Sequence, residues 1–154
     1  MTILFLLTFV LGGDPPSALA PSFENYLAAQ TALANDDLAT AKAEMAKLSQ
    51  SLAAVDAKSL SESQMATWTS VSKDLLAQTQ TANQASDIAV LRQAFGPISK
   101  AMVALAEQGR PEGVNKFFCP MALGHGAHWL AKGDEVLNPY YGASMLHCGA
   151  KQNF

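Results

Sequence analysis

The chain has 154 residues, of which 49% are hydrophobic and 15% are charged, and its formal net charge is −3. This length fits a single domain, and the apolar fraction is too high for a disordered chain. A mildly acidic chain without a basic excess lacks the electrostatic signature of a nucleic-acid-binding protein. No pair of carboxylates, nucleophile–base arrangement or phosphate-binding loop stands out, so we expect a protein that is not an enzyme.

Residues 1–20 form a candidate signal peptide. Residues 2–11 are almost wholly apolar, a polar stretch with two prolines follows, and Ala18-Leu19-Ala20 is a small-x-small cleavage pattern. The apolar run is too short for a comfortable membrane span. The first basic residue is Lys42, so the usual basic start is missing, and a hydrophobic helix that stays attached is the alternative. We predict a protein that is periplasmic or otherwise exported.

Residues 21–112 carry four apolar stripes at helical spacing. The clearest are the second, with Leu38, Ala41, Met45, Leu48, Leu52 and Val55, and the fourth, with Ile88, Leu91, Phe95, Ile98, Met102 and Leu105. Candidate N-caps are Ser22, Asp36 or Asp37, Ser61 with Gln64 as its capping-box partner, and Ser86 or Asp87. The fourth stripe continues past Gly96-Pro97, which predicts one kinked helix. Short polar connections between the stripes predict an up-down-up-down four-helix bundle.

The segment of residues 113–154 loses the helical period. Glycines and prolines punctuate it, and no strand-like alternation of useful length appears. Its aromatic residues argue against disorder, and residues 126–132 are predicted to form one short helix that carries Trp129. The predicted fold class is therefore all-α, a four-helix bundle with an irregular C-terminal segment of the same domain packed on it.

Both cysteines and all three histidines lie in this C-terminal segment. Cys119 and Met121 are two residues apart, so their side chains would point to one side of an extended strand. Met145 and Cys148 are three apart, so they would share one face of a helical turn. Thiolates and thioethers are soft ligands that select Cu(I). The candidate metal ligands are Cys119, Met121, Met145 and Cys148, with His147 as a further ligand.

A disulfide between Cys119 and Cys148 is an equally open interpretation. It would close a long loop and contribute about 3–4 kcal/mol in the chain-entropy model. The two states need not exclude each other, because the reduced thiols could bind metal and the metal-free pair could oxidise. A sulfur–sulfur distance of about 2.05 Å would indicate a disulfide, and about 3.5–4 Å would indicate ligands of one ion. His125 and His128 are interpreted first as solvated loop residues.

Several motifs of this chain resemble a bacterial family of exported domains without an assigned function. The motifs are Cys119-Pro120-Met121-Ala122, Asn138-Pro139-Tyr140-Tyr141-Gly142, Met145-Leu146 with Cys148-Gly149, and in the helical part residues 35–38, 60–62 and 95–99. Such domains also occur fused to the C-terminal end of membrane-fusion adaptors of CusB-type heavy-metal efflux pumps. The resemblance implies a helical bundle, export and an association with copper or related metals, and it implies no enzyme.

The function expected from these observations is Cu(I) buffering or hand-over in the periplasm, linked to copper efflux and heavy-metal resistance. A component of a heavy-metal efflux system is the expected partner. The alternative is a disulfide-stapled structural or protein-interaction module of the cell envelope.

Overall fold

The computed structural model describes residues 17–154. The predicted signal peptide lies outside the described residues except for residues 17–20. Four helices are present: α1 (Ala20–Ala34), α2 (Leu38–Ala53), α3 (Glu62–Asn83) and α4 (Ile88–Glu107). Each helix packs on the next one along the chain, in agreement with the predicted bundle. Short 3-10 turns occur at Ala57–Ser59, Ala122–Gly124 and Gly142–Ser144.

Three of the four helices begin at a predicted cap. The side chain of Asp37 accepts from the Thr40 amide, Ser61 and Gln64 form the expected capping box, and Asp87 accepts from the Val90 amide. The prediction for Ser22 is wrong, because α1 begins after Leu19 without a side-chain cap and Ser22 is buried inside the helix.

Helix α4 runs through Pro97 as one continuous helix. It is long and apolar enough to cross a membrane by length and composition alone. Leu91, Phe95 and Ile98 of its apolar stripe are fully buried in the core, and Ile88 is partly buried. This helix packs against α3 and against a β-strand, so its buried apolar face belongs to the core of the protein.

The all-α prediction is wrong, because the C-terminal segment contains an antiparallel sheet. Its strands are β1 (Val114–Cys119), β2 (Ala127–Lys132) and β3 (Ala150–Gln152), in the order β2-β1-β3. Phe117 of the central strand β1 lies opposite Trp129 of β2 on one side and Lys151 of β3 on the other. The segment predicted as a helix around Trp129 is β2, since pairing with β1 overrides the helix preference of its alanine, leucine and lysine residues.

A chain of aromatic rings connects the helices to the sheet. The ring centroids of Tyr26 and Phe95 are 5.2 Å apart, and those of Phe95 and Tyr140 are 5.9 Å apart. Tyr140 lies 6.0 Å from Trp129, which stacks at 5.6 Å on Phe117. Burial raises the pKa of both phenols far above the ordinary value, so both stay neutral. The core therefore continues from α1 and α4 through the C-terminal loop into β2 and β1.

Candidate metal centre

The fold places the two cysteines side by side. Cys119 is the buried last residue of β1, and Cys148 is partly buried two residues before β3. Their Sγ atoms are 2.8 Å apart, although 29 positions separate them in the sequence. This distance lies between the values expected for a disulfide and for two ligands of one ion, about 2.05 Å and about 3.5–4 Å. The fold therefore brings the two sulfurs into direct contact.

Cys119 lies on the face of the sheet that the C-terminal loop covers. On β1 it shares a face with Phe117, whose ring stacks on the paired Trp129. Phe118 belongs to the opposite face of the sheet, which is turned toward α4. On that side the Phe118 ring lines a cleft between the sheet and α4. The sheet thus has helices on one face and the cysteine pair on the other.

Buried Asn138 organises the loop that carries Cys148. Its side-chain amide donates to the Cys148 carbonyl at 2.7 Å, and its Oδ1 accepts from the Tyr140 amide at 2.8 Å. Its backbone N–H donates to the Leu146 carbonyl at 2.7 Å, and its carbonyl accepts from the Gly142 N–H at 3.1 Å. One side chain therefore closes the loop from residue 138 to residue 148 and fixes the backbone at Cys148.

An ion pair anchors the same loop to the helical bundle. Arg92 of α4 donates to the carbonyls of Leu33 and Pro139, both at 2.8 Å, and to Asp36 at 2.6 Å. The other carboxylate oxygen of Asp36 accepts from the Ala143 amide at 2.9 Å. The hydrogen bond from the Ala143 amide lowers the pKa of Asp36 most, and the hydrogen bond from the Arg92 guanidinium lowers it further. We call this pair the Asp36–Arg92 clamp.

The sequence analysis missed both Asn138 and the clamp. Asn138 stood out only as the start of the Asn138-Pro139-Tyr140-Tyr141-Gly142 motif, and Asp36 only as a candidate cap. The available signal was an asparagine in an irregular, aromatic-rich segment, where its side chain can satisfy backbone groups that lack helix or strand partners.

The two candidate methionine ligands differ in their surroundings. Met121 is 55% exposed, and its carbonyl accepts a hydrogen bond from the Tyr141 hydroxyl at 2.6 Å. Because β1 ends at Cys119, the expected extended strand from Cys119 to Met121 is absent. Met145 is partly buried, and its carbonyl accepts from the Cys148 N–H at 3.0 Å. Residues 145–148 therefore form a tight turn, but not the helical turn expected from their spacing, because Met145 has a non-helical backbone conformation (φ −151°, ψ 48°).

Each of the three histidines is exposed. Nδ1 of His147 donates to the Val136 carbonyl at 2.9 Å, which leaves its Nε2 open to solvent or a ligand. Nδ1 of His125 donates to the Gly126 carbonyl at 2.9 Å. Within residues 17–154, no group of three or more His, Cys, Asp and Glu side chains is placed to hold a metal ion. The donors that the structure brings together are the two thiols.

Proximity of the thiols affects their ionisation. The hydrogen bond with Cys119 raises the pKa of the Cys148 thiol above its ordinary value, and burial makes a smaller contribution in the same direction. A second thiolate beside the first is unfavourable unless a cation neutralises both. The pair therefore fits a soft cation or an oxidised disulfide better than two free thiolates.

Comparison with known families identifies the helical part. The model of a family described as "Protein of unknown function (DUF3347)" matches residues 23–113, more than half of the chain. The chain belongs to the DUF3347 family. The match begins three residues into α1, covers the rest of the helical part and ends one residue before β1, so the cysteine pair lies beyond the matched DUF3347 residues. Searches of curated proteins and of solved structures found no match.

Proposed function

We propose that this DUF3347 protein binds Cu(I) in the periplasm and buffers it or hands it over in copper efflux and resistance. The observation that supports this function is the 2.8 Å separation of the Cys119 and Cys148 sulfurs. Thiolates are the protein ligands that most favour Cu(I) over harder divalent ions.

The ligand set places Cys119 and Cys148 at its centre as thiolates. Met121 and Met145 supply thioethers from the two chain segments that flank the pair, and His147 is a further donor through its Nε2. Metal binding requires that both thiols lose their protons. Because the pKa of Cys148 is raised, the apparent Cu(I) affinity increases as the pH rises toward that pKa.

Export and an efflux partner are the other parts of the proposal. The signal-like residues 1–20 support export. The likeness of the Cys-Pro-Met, Asn-Pro-Tyr-Tyr-Gly and Met-Leu-His-Cys-Gly motifs to domains fused to CusB-type adaptors supports hand-over to a heavy-metal efflux system. In an exported protein the pair must be kept reduced, or loaded before it oxidises, for Cu(I) to bind.

Competition for Cu(I) between the reduced protein and a chromophoric chelator tests the proposal. The double variant Cys119→Ser/Cys148→Ser should lose tight binding, and Met121→Leu or Met145→Leu should weaken it to a smaller extent. Met102→Leu is the matched control, because Met102 is fully buried in the core and should leave Cu(I) affinity unchanged. An affinity in the double serine variant equal to that of the wild type excludes this site.

The same cysteine geometry supports a second candidate function, a structural or interaction module closed by a Cys119–Cys148 disulfide. Pairing of β1 with β3, where Phe118 lies opposite Ala150, already holds the two chain segments together, so oxidation needs little rearrangement. A thiol count on periplasmic protein, with and without copper and under mild reduction, separates the two functions. Absence of free thiol in every state supports the module, and two thiols protected by Cu(I) support the metal-binding function.

A further inference from the structure

A cleft of about 550 Å³ lies on the face of the sheet opposite the cysteine pair. Helix α4 forms one wall, and the hairpin of β1 and β2 with its connecting loop forms the other. Pro97, Val103, Phe118 and Leu123 contribute apolar surface to the cleft. Its volume falls within the range of about 300–1,000 Å³ that is typical of small-molecule sites.

The ionisable side chains that line the cleft are all basic. They are Lys100 on α4, His125 in the hairpin loop and His128 on β2. Among the described residues that line the cleft there is no carboxylate. Glu107, the last residue of α4, is paired with Lys116 at 2.9 Å. Burial and the nearby Lys116 lower the pKa of His128, so this imidazole is mainly a neutral hydrogen-bonding group at neutral pH. The cleft therefore combines an apolar interior with the positive charge of Lys100 and two imidazoles, and no carboxylate of the described residues lines it.

The backbone of the hairpin loop is strained where it borders the cleft. Leu123 has a φ of +57°, a left-handed conformation that is uncommon for a bulky residue. Its side chain lies against Gly96 of α4, where a β-carbon would overlap it. At Gly126, with φ +85°, a β-carbon would come within 2.7 Å of the Phe118 ring. Strain of this kind is concentrated at binding and functional sites.

We propose that this cleft binds a small carboxylate ligand with an apolar body. The apolar walls would cover a hydrocarbon or aromatic group, and Lys100 with the two histidines would face the carboxylate. A neutral apolar molecule would leave the basic groups unused, and a small inorganic anion would leave the apolar walls in water. This site is independent of the cysteine pair and of Cu(I) binding.

Titration of the full protein with decanoate, below its micelle concentration, tests the proposal by amide chemical-shift changes in NMR. We expect saturable binding with a Kd of about 1 mM, given the typical affinity per atom of small ligands. The largest shifts should occur at Gly96, Gly126 and His128. Decan-1-ol, which lacks the charge, and acetate, which lacks the apolar body, should each bind at least about tenfold more weakly.

Charge reversal at the cleft provides the matched comparison. Lys100→Glu should weaken decanoate binding about tenfold, because attraction becomes repulsion at short range. Lys73→Glu makes the same change in net charge on the exposed surface of α3, away from the cleft, and should leave binding unchanged. Equal affinity for decanoate and decan-1-ol, equal effects of the two variants, or shifts confined to another surface would each overturn the proposal.

Discussion

Replacing Asn138 with alanine should destabilise the loop that carries Cys148. The substitution removes the hydrogen bond to the Cys148 carbonyl at 2.7 Å and the bond from the Tyr140 amide at 2.8 Å. Asn138 is fully buried, and each buried group left without a partner costs about 1–3 kcal/mol. Water can reach the Cys148 carbonyl more easily, since that residue is only partly buried. We therefore expect a loss of about 2–4 kcal/mol.

Two measurements check this prediction. Urea unfolding should show a lower midpoint at unchanged slope. In a glutathione redox buffer, the equilibrium constant for forming the Cys119–Cys148 disulfide should decrease. The decrease should be about tenfold for each 1.4 kcal/mol by which the loop is destabilised. Asn153→Ala is the control, because Asn153 is exposed and makes no side-chain hydrogen bond among the described residues. If Asn138→Ala matches this control in both measurements, Asn138 does not position Cys148.

Three further substitutions test the anchoring of the loop and the core by urea unfolding. Gly142→Ala adds a β-carbon at φ +58° that overlaps both side chains of the Asp36–Arg92 clamp, and it should cost about 2–4 kcal/mol. The control Gly113→Ala, at φ +72° with open space around it, should cost only about 1 kcal/mol. If both glycine variants lose the same stability, the overlap at Gly142 is contradicted. The pKa of Asp36 is lowered from 3.8, so its stabilising contribution is present above that value and is lost as the pH falls through the lowered pKa. Asp36→Asn should therefore flatten the fall in stability below about pH 4, whereas Asp74→Asn, at an exposed carboxylate, should retain the wild-type slope. Tyr26→Phe leaves a buried strand amide without its acceptor and should cost about 1–3 kcal/mol, so an unchanged midpoint would contradict the assigned hydrogen bond.

The helices could be predicted because their signals are local. Apolar residues recur at spacings of three and four, and capping groups such as Asp37, Ser61 and Asp87 stand directly before three of the stripes. Pro97 did not mislead the prediction, since the apolar spacing on both sides of it stays in register.

The sheet could not be predicted because its signal is not local. Strand β1 belongs to a sheet that faces α4 on one side and the C-terminal loop on the other, so its sequence from Val114 to Cys119 lacks the alternation of a strand with one solvent face. The expectation that Cys119 and Cys148 could meet depended on this unseen sheet. The features that position the Cys148 loop, Asn138 and the clamp between Asp36 and Arg92, link residues up to 107 positions apart, and no spacing rule within one element detects such pairs.

The end of the DUF3347 match does not coincide with the end of the physical unit. Polar side chains from the matched helices have partners beyond residue 113, among them Glu107, which accepts from Lys116 at 2.9 Å. Gln30 donates to the Leu137 carbonyl at 2.7 Å, Arg92 donates to the Pro139 carbonyl at 2.8 Å, and the Tyr26 hydroxyl accepts from the Leu130 amide at 3.1 Å. Without the C-terminal segment these polar groups would lose their hydrogen-bond partners and the aromatic core would be exposed to water. The helices would then be destabilised by several kcal/mol. Cysteine chemistry in the loop is thereby coupled to the helices. A ligand that binds only the folded pair would stabilise the whole chain by about 2.7 kcal/mol at a free concentration of about one hundred times its Kd.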